Sequence, residues 1–101
     1  MTTVRVTAFK VTNDADIDTM LDAYKLLAKE NQKHGQRYIL DVKAFREIGA
    51  QYNQGYNCVA VTQFQSAEDM KFYDEECPAH KKLKETGKGK VGPPLILFGE
   101  S

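Results

Sequence analysis

The amino-acid sequence predicts an α+β fold with the element order β-α-β-β-α-β. Short segments rich in β-branched and aromatic residues alternate with longer segments whose apolar residues recur every three or four positions. Acidic residues open both helical segments, where they meet the positive end of the helix dipole. Pro93-Pro94 favours an extended entry into a last apolar segment. The length of 101 residues corresponds to one domain, residues 1–101.

The first half of the chain predicts a strand followed by a long helix. Residues 4–11 are rich in β-branched and aromatic side chains, which favour a strand. Thr12-Asn13-Asp14 supplies turn and N-cap residues, and the helix is expected to run to about Lys33, with Gly35 just beyond its end. The apolar stripe of this helix consists of Ile17, Met20, Leu21, Tyr24, Leu27 and Ala28.

Two strands are predicted in the middle of the chain. In residues 38–48 the alternation places Tyr38, Leu40, Val42 and Ala44 on one face, and Ile39, Lys43, Phe45 and Glu47 on the other. Residues 49–55 form the connecting loop. In residues 56–64 the alternation places Cys58, Ala60, Thr62 and Phe64 on one face, and Val59 and Val61 on the other.

The end of the chain predicts an interrupted helix and a final strand. Ser66 is a suitable N-cap with acidic residues behind it, and the helix that it opens carries Met70 and Tyr73. Pro78 interrupts this helix, because proline cannot continue one without strain. A short helix over residues 79–85 is expected to follow and to end at Gly87. Leu95-Ile96-Leu97-Phe98 then forms a short apolar strand.

This element order is that of the ferredoxin-like split βαβ arrangement, an antiparallel sheet with both helices on one face. The apolar residues Val59, Val61 and Leu95–Phe98 indicate that the other face of the sheet is also covered. Since the chain has no third layer, the simplest cover is a second copy, and we predict a homodimer packed sheet to sheet.

The composition limits the classes of binding partner that we expect for this protein. The chain has 14 basic and 14 acidic residues, which gives no reason to expect nucleic acid or an anionic membrane. No apolar run approaches the roughly 18 residues needed to span a bilayer, and the amino terminus lacks the apolar region of a signal peptide. Two cysteines are too few for a disulfide framework. We therefore expect a soluble cytoplasmic protein without a nucleic-acid or membrane partner.

His80 and Tyr73 are the candidate catalytic residues. Both side chains donate and accept protons without a cofactor. The imidazole of His80 suits a general base near neutral pH, and the alternative is a structural histidine that fixes the turn after Pro78. The hydroxyl of Tyr73 suits a partner for a carbonyl oxygen or a developing enolate, and the alternative is a core aromatic.

Three further side chains are candidates for ligand binding. Arg5, if it faces the cavity, can bind a carboxylate or phenolate, and otherwise it belongs to the ordinary surface. Tyr24 and Tyr38 either line the same cavity or pack in the core. Cys77 and His80 have a spacing that zinc could use, but a zinc site needs three or four ligands, so we predict no metal. His34, next to Gly35, is interpreted as a cap on the carbonyl end of the first helix.

The pattern of Gly55-Tyr56, Phe64-x-Ser66-x-Glu68 and Tyr73, followed by Pro78-Ala79-His80, resembles the stress-responsive A/B barrel (Dabb) domain family. The resemblance implies a dimeric α+β barrel of ferredoxin-like subunits, each with a pocket between sheet and helices. One plant member closes a linear polyketide by aldol condensation without a cofactor. The catalytic histidine and tyrosine of that member fall on His80 and Tyr73.

Two departures from that cyclase are visible in the chain. The interval between the tyrosine and the histidine is one residue longer here, and Arg5 stands where the cyclase has a histidine in its first strand. We therefore expect a pocket of different polarity and a different substrate.

The leading prediction is a cofactor-independent enzyme of polyketide or natural-product metabolism, with a small aromatic or polyketide-like ligand. It would catalyse an aldol-type cyclisation or a related proton transfer. The alternatives are a non-enzymatic, stress-responsive dimeric binding protein and a cofactor-free monooxygenase on the same dimeric fold. The apolar residues predicted to hold the ligand, together with Tyr24, are Ile17, Val59, Val61, Met70 and Leu97.

Overall fold

A four-stranded antiparallel sheet carries three helices on one of its faces, in a computed structural model that describes all 101 residues. The strand order is β2-β3-β1-β4. This confirms the predicted ferredoxin-like α+β fold, with the second helical segment divided in two before Pro78. The elements are β1 Thr3–Phe9, α1 Asp14–Glu30, β2 Ile39–Arg46, β3 Cys58–Phe64, α2 Ala67–Glu75, α3 Pro78–Gly87 and β4 Leu95–Glu100.

The first helix ends three residues before the predicted Lys33, and Asn31 is the reason. Its side-chain amide donates to the carbonyls of Leu27 and Ala28 at 2.9 and 3.1 Å. Its side-chain oxygen accepts the N–H groups of Tyr38 and Ile39 at 3.0 and 3.1 Å. Asn31 is almost fully buried and joins the end of α1 to the start of β2. Its four hydrogen bonds stop the helix and turn the chain toward the sheet.

The predicted cap formed by His34 is therefore wrong. The helix ends at Glu30, and His34 lies in the turn beyond it with a φ of 53°. Gly35 follows with a φ of 79°, so it serves this turn rather than the helix terminus.

A β-bulge in β2 changes the predicted faces of that strand. Register shifts between Ile39 and Asp41, which leaves Leu40 without a partner on β3 and 54% exposed. Because a bulge adds one residue, it reverses the alternation on one side of it. Tyr38, Ile39, Val42 and Ala44 accordingly all pack against the core, although simple alternation separates Ile39 from the other three.

The two faces of the sheet differ in their cover. Thr3, Arg5, Thr7 and Phe9 of β1 lie on the face beneath the helices, which we call the inner face, and all four are buried. On β3 the inner positions are Cys58, Ala60, Thr62 and Phe64, also buried. The core forms where Phe64 and Ala60 meet Ile17, Met20 and Leu27 of α1.

The opposite, outer face has an apolar centre that the chain itself leaves uncovered. Val6 pairs with Val61 on one side and Leu97 on the other, so these three side chains stand side by side. Leu97 is 59% exposed, and Phe45 on β2 is 45% exposed. No helix is long and apolar enough to cross a bilayer.

Candidate functional site

A cavity of about 640 Å³ lies between the inner face of β1 and the helices. This volume falls within the range typical of small-molecule sites. Its walls combine a few polar side chains with an apolar remainder. The polar ones are Arg5, Thr7, Tyr24, Tyr73, Asp74, His80, Lys84 and Lys88, and the apolar ones are Phe9, Met20, Leu83, Val91, Pro93, Pro94 and Ile96.

The helix break at Pro78 brings Tyr73 and His80 together. The N–H of Cys77 bonds to the carbonyl of Phe72 instead of continuing the α-helical pattern, and Pro78 then opens α3. This leaves the carbonyl of Tyr73 without a helical partner, and Nδ1 of His80 lies 2.8 Å from it. The two rings stack in parallel, with 3.6 Å between their centroids and 9° between their planes.

This hydrogen bond determines the tautomer of His80. A carbonyl oxygen only accepts, so Nδ1 must carry the proton. In the neutral imidazole the lone pair is then on Nε2, for which the structure shows no protein partner. The predicted structural role of His80 after Pro78 is thus carried out by Nδ1, and Nε2 remains available for chemistry.

Burial lowers the pKa of His80 to about 4. The hydrogen bond to the Tyr73 carbonyl raises the pKa, the positive charges of Lys84 and Arg5 lower it, and Asp74 raises it slightly. The net effect keeps the imidazole neutral at physiological pH, and its basic form is therefore fully populated.

Arg5 and Asp74 form a partly buried ion pair at the same site. Nη1 of Arg5 lies 2.7 and 2.6 Å from the two carboxylate oxygens of Asp74. The Arg5 side chain is 6% exposed, whereas that of Asp74 is 42% exposed. Asp74 Oδ1 is also 4.0 Å from His80 Nδ1, and the guanidinium carbon of Arg5 lies 5.4 Å from the centre of the Tyr73 ring. The pair therefore borders the stacked rings.

Two tyrosine hydroxyls complete the polar part of the cavity. Tyr24 and Tyr73 are each 3% exposed, and the hydroxyl of neither forms a hydrogen bond within the protein. Burial raises the pKa of both, and the charge of Arg5 opposes this only in part, so both hydroxyls stay protonated at neutral pH. Hydroxyl groups that line a cavity and have no hydrogen-bond partner in the protein are suited to a ligand.

The structure brings four of the predicted site residues into one cavity, namely Arg5, Tyr24, Tyr73 and His80. Tyr38 does not line this cavity: its ring packs edge-on against Phe72 at 5.2 Å and borders a different cleft. Ile17 and Met70 are buried in the core and do not reach the cavity wall.

Val59, Val61 and Leu97 also lie outside this cavity, because they point from the outer face of the sheet. The strand register places Val61 and Leu97 beside Val6, one residue from Arg5 and therefore on the opposite face. The prediction that these three residues line the ligand cavity does not agree with this register.

Sequence reasoning missed Asp74 and most of the apolar wall. Arg5 and Asp74 are 69 positions apart, so no local pattern connects them. The apolar wall includes Phe9 and Ile96, which alternation places on the same face as Arg5 and Thr7 once the register of β1 and β4 is known. No group of three or more His, Cys, Asp or Glu side chains is arranged to hold a metal ion.

The chain matches one known domain family and one curated relative. The profile of the stress-responsive A/B barrel domain matches residues 3–92. A curated relative, a fusaristatin A biosynthesis cluster protein of Gibberella zeae, is 40% identical over 80 residues. That match covers 79% of this chain and 58% of the relative, so the chain spans less than two thirds of that protein.

Solved structures share the fold at low sequence identity. A dimeric protein of unknown function with a ferredoxin-like fold from Bacteroides fragilis has a TM-score of 0.79 at 14% identity, over 99% of this chain and 96% of that one. The hydroxynitrile lyase of Passiflora edulis has a TM-score of 0.76 at 12% identity, over 97% and 91%. A cofactor-independent oxygenase of Streptomyces nogalater has a TM-score of 0.70 at 8% identity, over 99% and 92%.

The three structures show a common fold, and the profile covers most of the chain. It also includes the stretch from Gly55 to His80 on which the sequence resemblance depended. The chain therefore belongs to the stress-responsive A/B barrel domain family.

Proposed function

We propose that this protein is a cofactor-independent enzyme that transfers protons on a small molecule. His80 Nε2 is the general base, and the Tyr73 hydroxyl holds the carbonyl oxygen on which charge develops. The observation that carries the proposal is the bond from His80 Nδ1 to the Tyr73 carbonyl. It leaves Nε2 as the free ring nitrogen at a cavity that Tyr73 also lines.

The proposed reaction is an aldol-type ring closure. Nε2 takes a proton from a carbon between two carbonyl groups, and the electron pair of that bond moves into an enolate. The enolate carbon attacks a second carbonyl of the same molecule and forms the new carbon–carbon bond. The resulting alkoxide takes the proton back from Nε2, so the step is balanced without an oxidant or reductant.

The polar groups around His80 suit this sequence. The hydroxyls of Tyr73 and Tyr24 remain protonated and can donate to a developing enolate oxygen. The positive charge of Arg5 favours the same anion. The low pKa of His80 makes its imidazolium a strong acid, which favours return of the proton in the last step.

Natural-product chemistry is the first substrate area to test. The curated relative is named for a biosynthesis cluster, and the sequence resemblance implies polyketide cyclisation. The apolar wall formed by Phe9, Met20, Leu83 and Ile96 suits an aromatic or alkyl body.

A homodimer is part of the proposal. The uncovered apolar centre of the outer face, formed by Val6, Val61 and Leu97, needs a partner surface of similar character. A second copy packed sheet to sheet would supply it. The Bacteroides fragilis protein, whose subunit has the same fold, is dimeric.

The direct test is turnover of linear tetraketides, supplied both as thioesters and as free carboxylic acids, followed by mass spectrometry of cyclised products. Spontaneous cyclisation is measured without protein, and His34→Asn is the matched histidine variant because His34 lies in the turn after α1 and does not line the cavity. Rate acceleration that a folded His80→Asn protein lacks and His34→Asn retains supports the enzyme. Saturable ligand binding without acceleration for any substrate supports the binding-protein alternative.

A further inference from the structure

We propose that Arg5 selects a substrate bearing a carboxylate, which binds the guanidinium beside Asp74. This inference rests on the proposed function, because it names the substrate class of the same cavity. It assigns Asp74 as a positioning residue that holds one edge of the guanidinium.

The burial of Arg5 is the first observation. Arg5 lies on the inner face of β1, opposite Thr62 on β3 and Phe98 on β4, in the middle of the sheet. Its side chain is 6% exposed. A guanidinium in such a place requires compensation by hydrogen bonds and by negative charge, because removing a charge from water is costly.

The compensation within the protein is incomplete. Nη1 is shared between the two oxygens of one carboxylate, that of Asp74. Nε makes only a long contact of 3.4 Å to the hydroxyl of Thr7. Nη2 forms no hydrogen bond to the protein. A guanidinium presents five donors, and a planar carboxylate is the group that pairs with two of them at once.

Charge along the cavity favours the same ligand. Arg5, Lys84 and Lys88 line it, whereas Asp74 is the one acidic side chain in its wall. His80 adds no charge at neutral pH, since its pKa lies near 4. The cavity therefore holds an excess of positive charge, and an anionic ligand reduces it.

Asp74 also demonstrates that a carboxylate fits next to this guanidinium. It approaches from the end of α2, and both of its oxygens contact Nη1 of Arg5 and no other guanidinium nitrogen. The apolar wall lies on β1, β4 and the helices, at Phe9, Ile96 and Leu83. A ligand with a carboxylate at one end and an aromatic or alkyl body therefore matches the cavity.

The test compares 3-phenylpropanoate with the neutral 3-phenylpropanamide by protein-observed NMR titration at pH 7. We expect the wild-type protein to bind the acid roughly 10-fold tighter or more, which is the effect of a charge-assisted hydrogen bond. Equal affinities for acid and amide would overturn the inference, and this comparison needs no variant that must fold.

Variants locate the preference. Arg5→Met should reduce the preference to within about twofold, and Arg5→Lys should retain part of it, because lysine keeps the charge but not the fork. Asp74→Asn should bind the acid several-fold tighter, since it removes a competing negative charge while its amide oxygen still accepts from Nη1. If a folded Arg5→Met protein still preferred the acid over the amide, the carboxylate would bind to groups other than Arg5.

Lys33 and Asp69 provide the matched control. They form a partly buried ion pair at 2.7 Å, on the side of the core away from this cavity. Asp69→Asn should leave the affinity for both probes unchanged. If it tightened binding of the acid as much as Asp74→Asn does, the effect would come from the net charge of the protein and not from the site.

The outcomes separate this inference from the proposed function. Acid preference with turnover that does not depend on His80 would overturn the catalytic proposal and leave the binding site standing. Turnover that depends on His80, with equal affinities for acid and amide, would support the catalytic proposal and overturn the carboxylate site.

Discussion

The imidazole of His80 lies parallel to the phenol ring of Tyr73 at 3.6 Å between centroids, and its Nδ1 donates to the backbone carbonyl of the same tyrosine. The two residues are thus joined twice, once through their rings and once through the helix end. One ring nitrogen serves the fold, and the other has no partner in the protein. The structural role of His80 and its proposed catalytic role can therefore be separated by experiment, because they belong to different atoms.

Replacing His80 by asparagine should remove activity and retain stability. An asparagine amide can donate to the Tyr73 carbonyl in place of Nδ1, but it offers no base at the position of Nε2. His80→Ala should lose both functions and destabilise the fold by about 1–3 kcal/mol, because it leaves a buried carbonyl unpaired. Urea denaturation and turnover, measured on both variants, check this. Wild-type turnover in a folded His80→Asn protein would remove His80 from catalysis.

Stability should fall as the pH is lowered from about 6.5 to about 4. The pKa of His80 is about 4 in the folded protein and near 6.5 in the unfolded chain, so the unfolded state binds the proton first. The loss for this one group is about 3 kcal/mol and is complete once both states are protonated.

The measurement is the free energy of unfolding across that pH range for the wild type and for His80→Asn. The difference between the two curves gives the contribution of His80, including its interaction with Asp74. Parallel curves for the wild type and His80→Asn would mean that His80 titrates normally in the fold.

Activity should persist on the acid side to lower pH than an ordinary histidine allows. A general base with a pKa of about 4 remains unprotonated at pH 5.5, where a histidine with the usual pKa is mostly protonated. The acid limb of kcat/KM should therefore have its midpoint near pH 4, measured over the range in which the protein remains folded. A midpoint at pH 6.5 would show that the free enzyme holds His80 in a more exposed environment.

Tyr73→Phe should lower kcat by roughly 10-fold to 1000-fold, because the hydroxyl no longer donates to the developing oxyanion. Stability should change little, since that hydroxyl has no partner in the protein. Tyr38→Phe is the matched control, because the Tyr38 hydroxyl is buried and unpaired but lies away from the cavity. It should leave kcat unchanged and the fold as stable or more stable. Equal kinetics of the two variants would exclude the Tyr73 hydroxyl from the mechanism.

The sequence predicts the elements well because their signals are local. Ser66 accepts the N–H of Asp69 as an N-cap should, and Pro78 begins a new helix. The end of α1 is missed because it depends on Asn31, whose partners Tyr38 and Ile39 belong to another segment. The residues next to Asn31 in the sequence do not indicate that its side chain will bond to Tyr38 and Ile39.

The site is predicted only in part for the same reason. Tyr73 and His80 are close in sequence, and their motif points to both. The ion pair of Arg5 with Asp74 depends on how α2 ends above β1, which is a property of the tertiary structure. The outward direction of Val61 follows from alternation, but its distance from the cavity becomes clear only when the register with Val6 is known.

Val61→Glu should convert the proposed dimer into a monomer. Val61 stands at the centre of the outer face, beside Val6 on β1, and a carboxylate there would be buried against the apolar surface of the second copy. Light scattering coupled to size exclusion measures the mass directly. Gln63→Glu, at the next outer-facing position of β3, adds the same charge nearer the end of the strand and should disturb the dimer less. A wild-type protein of 11.4 kDa across the micromolar range would contradict the dimer outright. A monomeric Val61→Glu protein that retains ligand binding would show that each subunit forms its own cavity, as expected for walls that come from one chain.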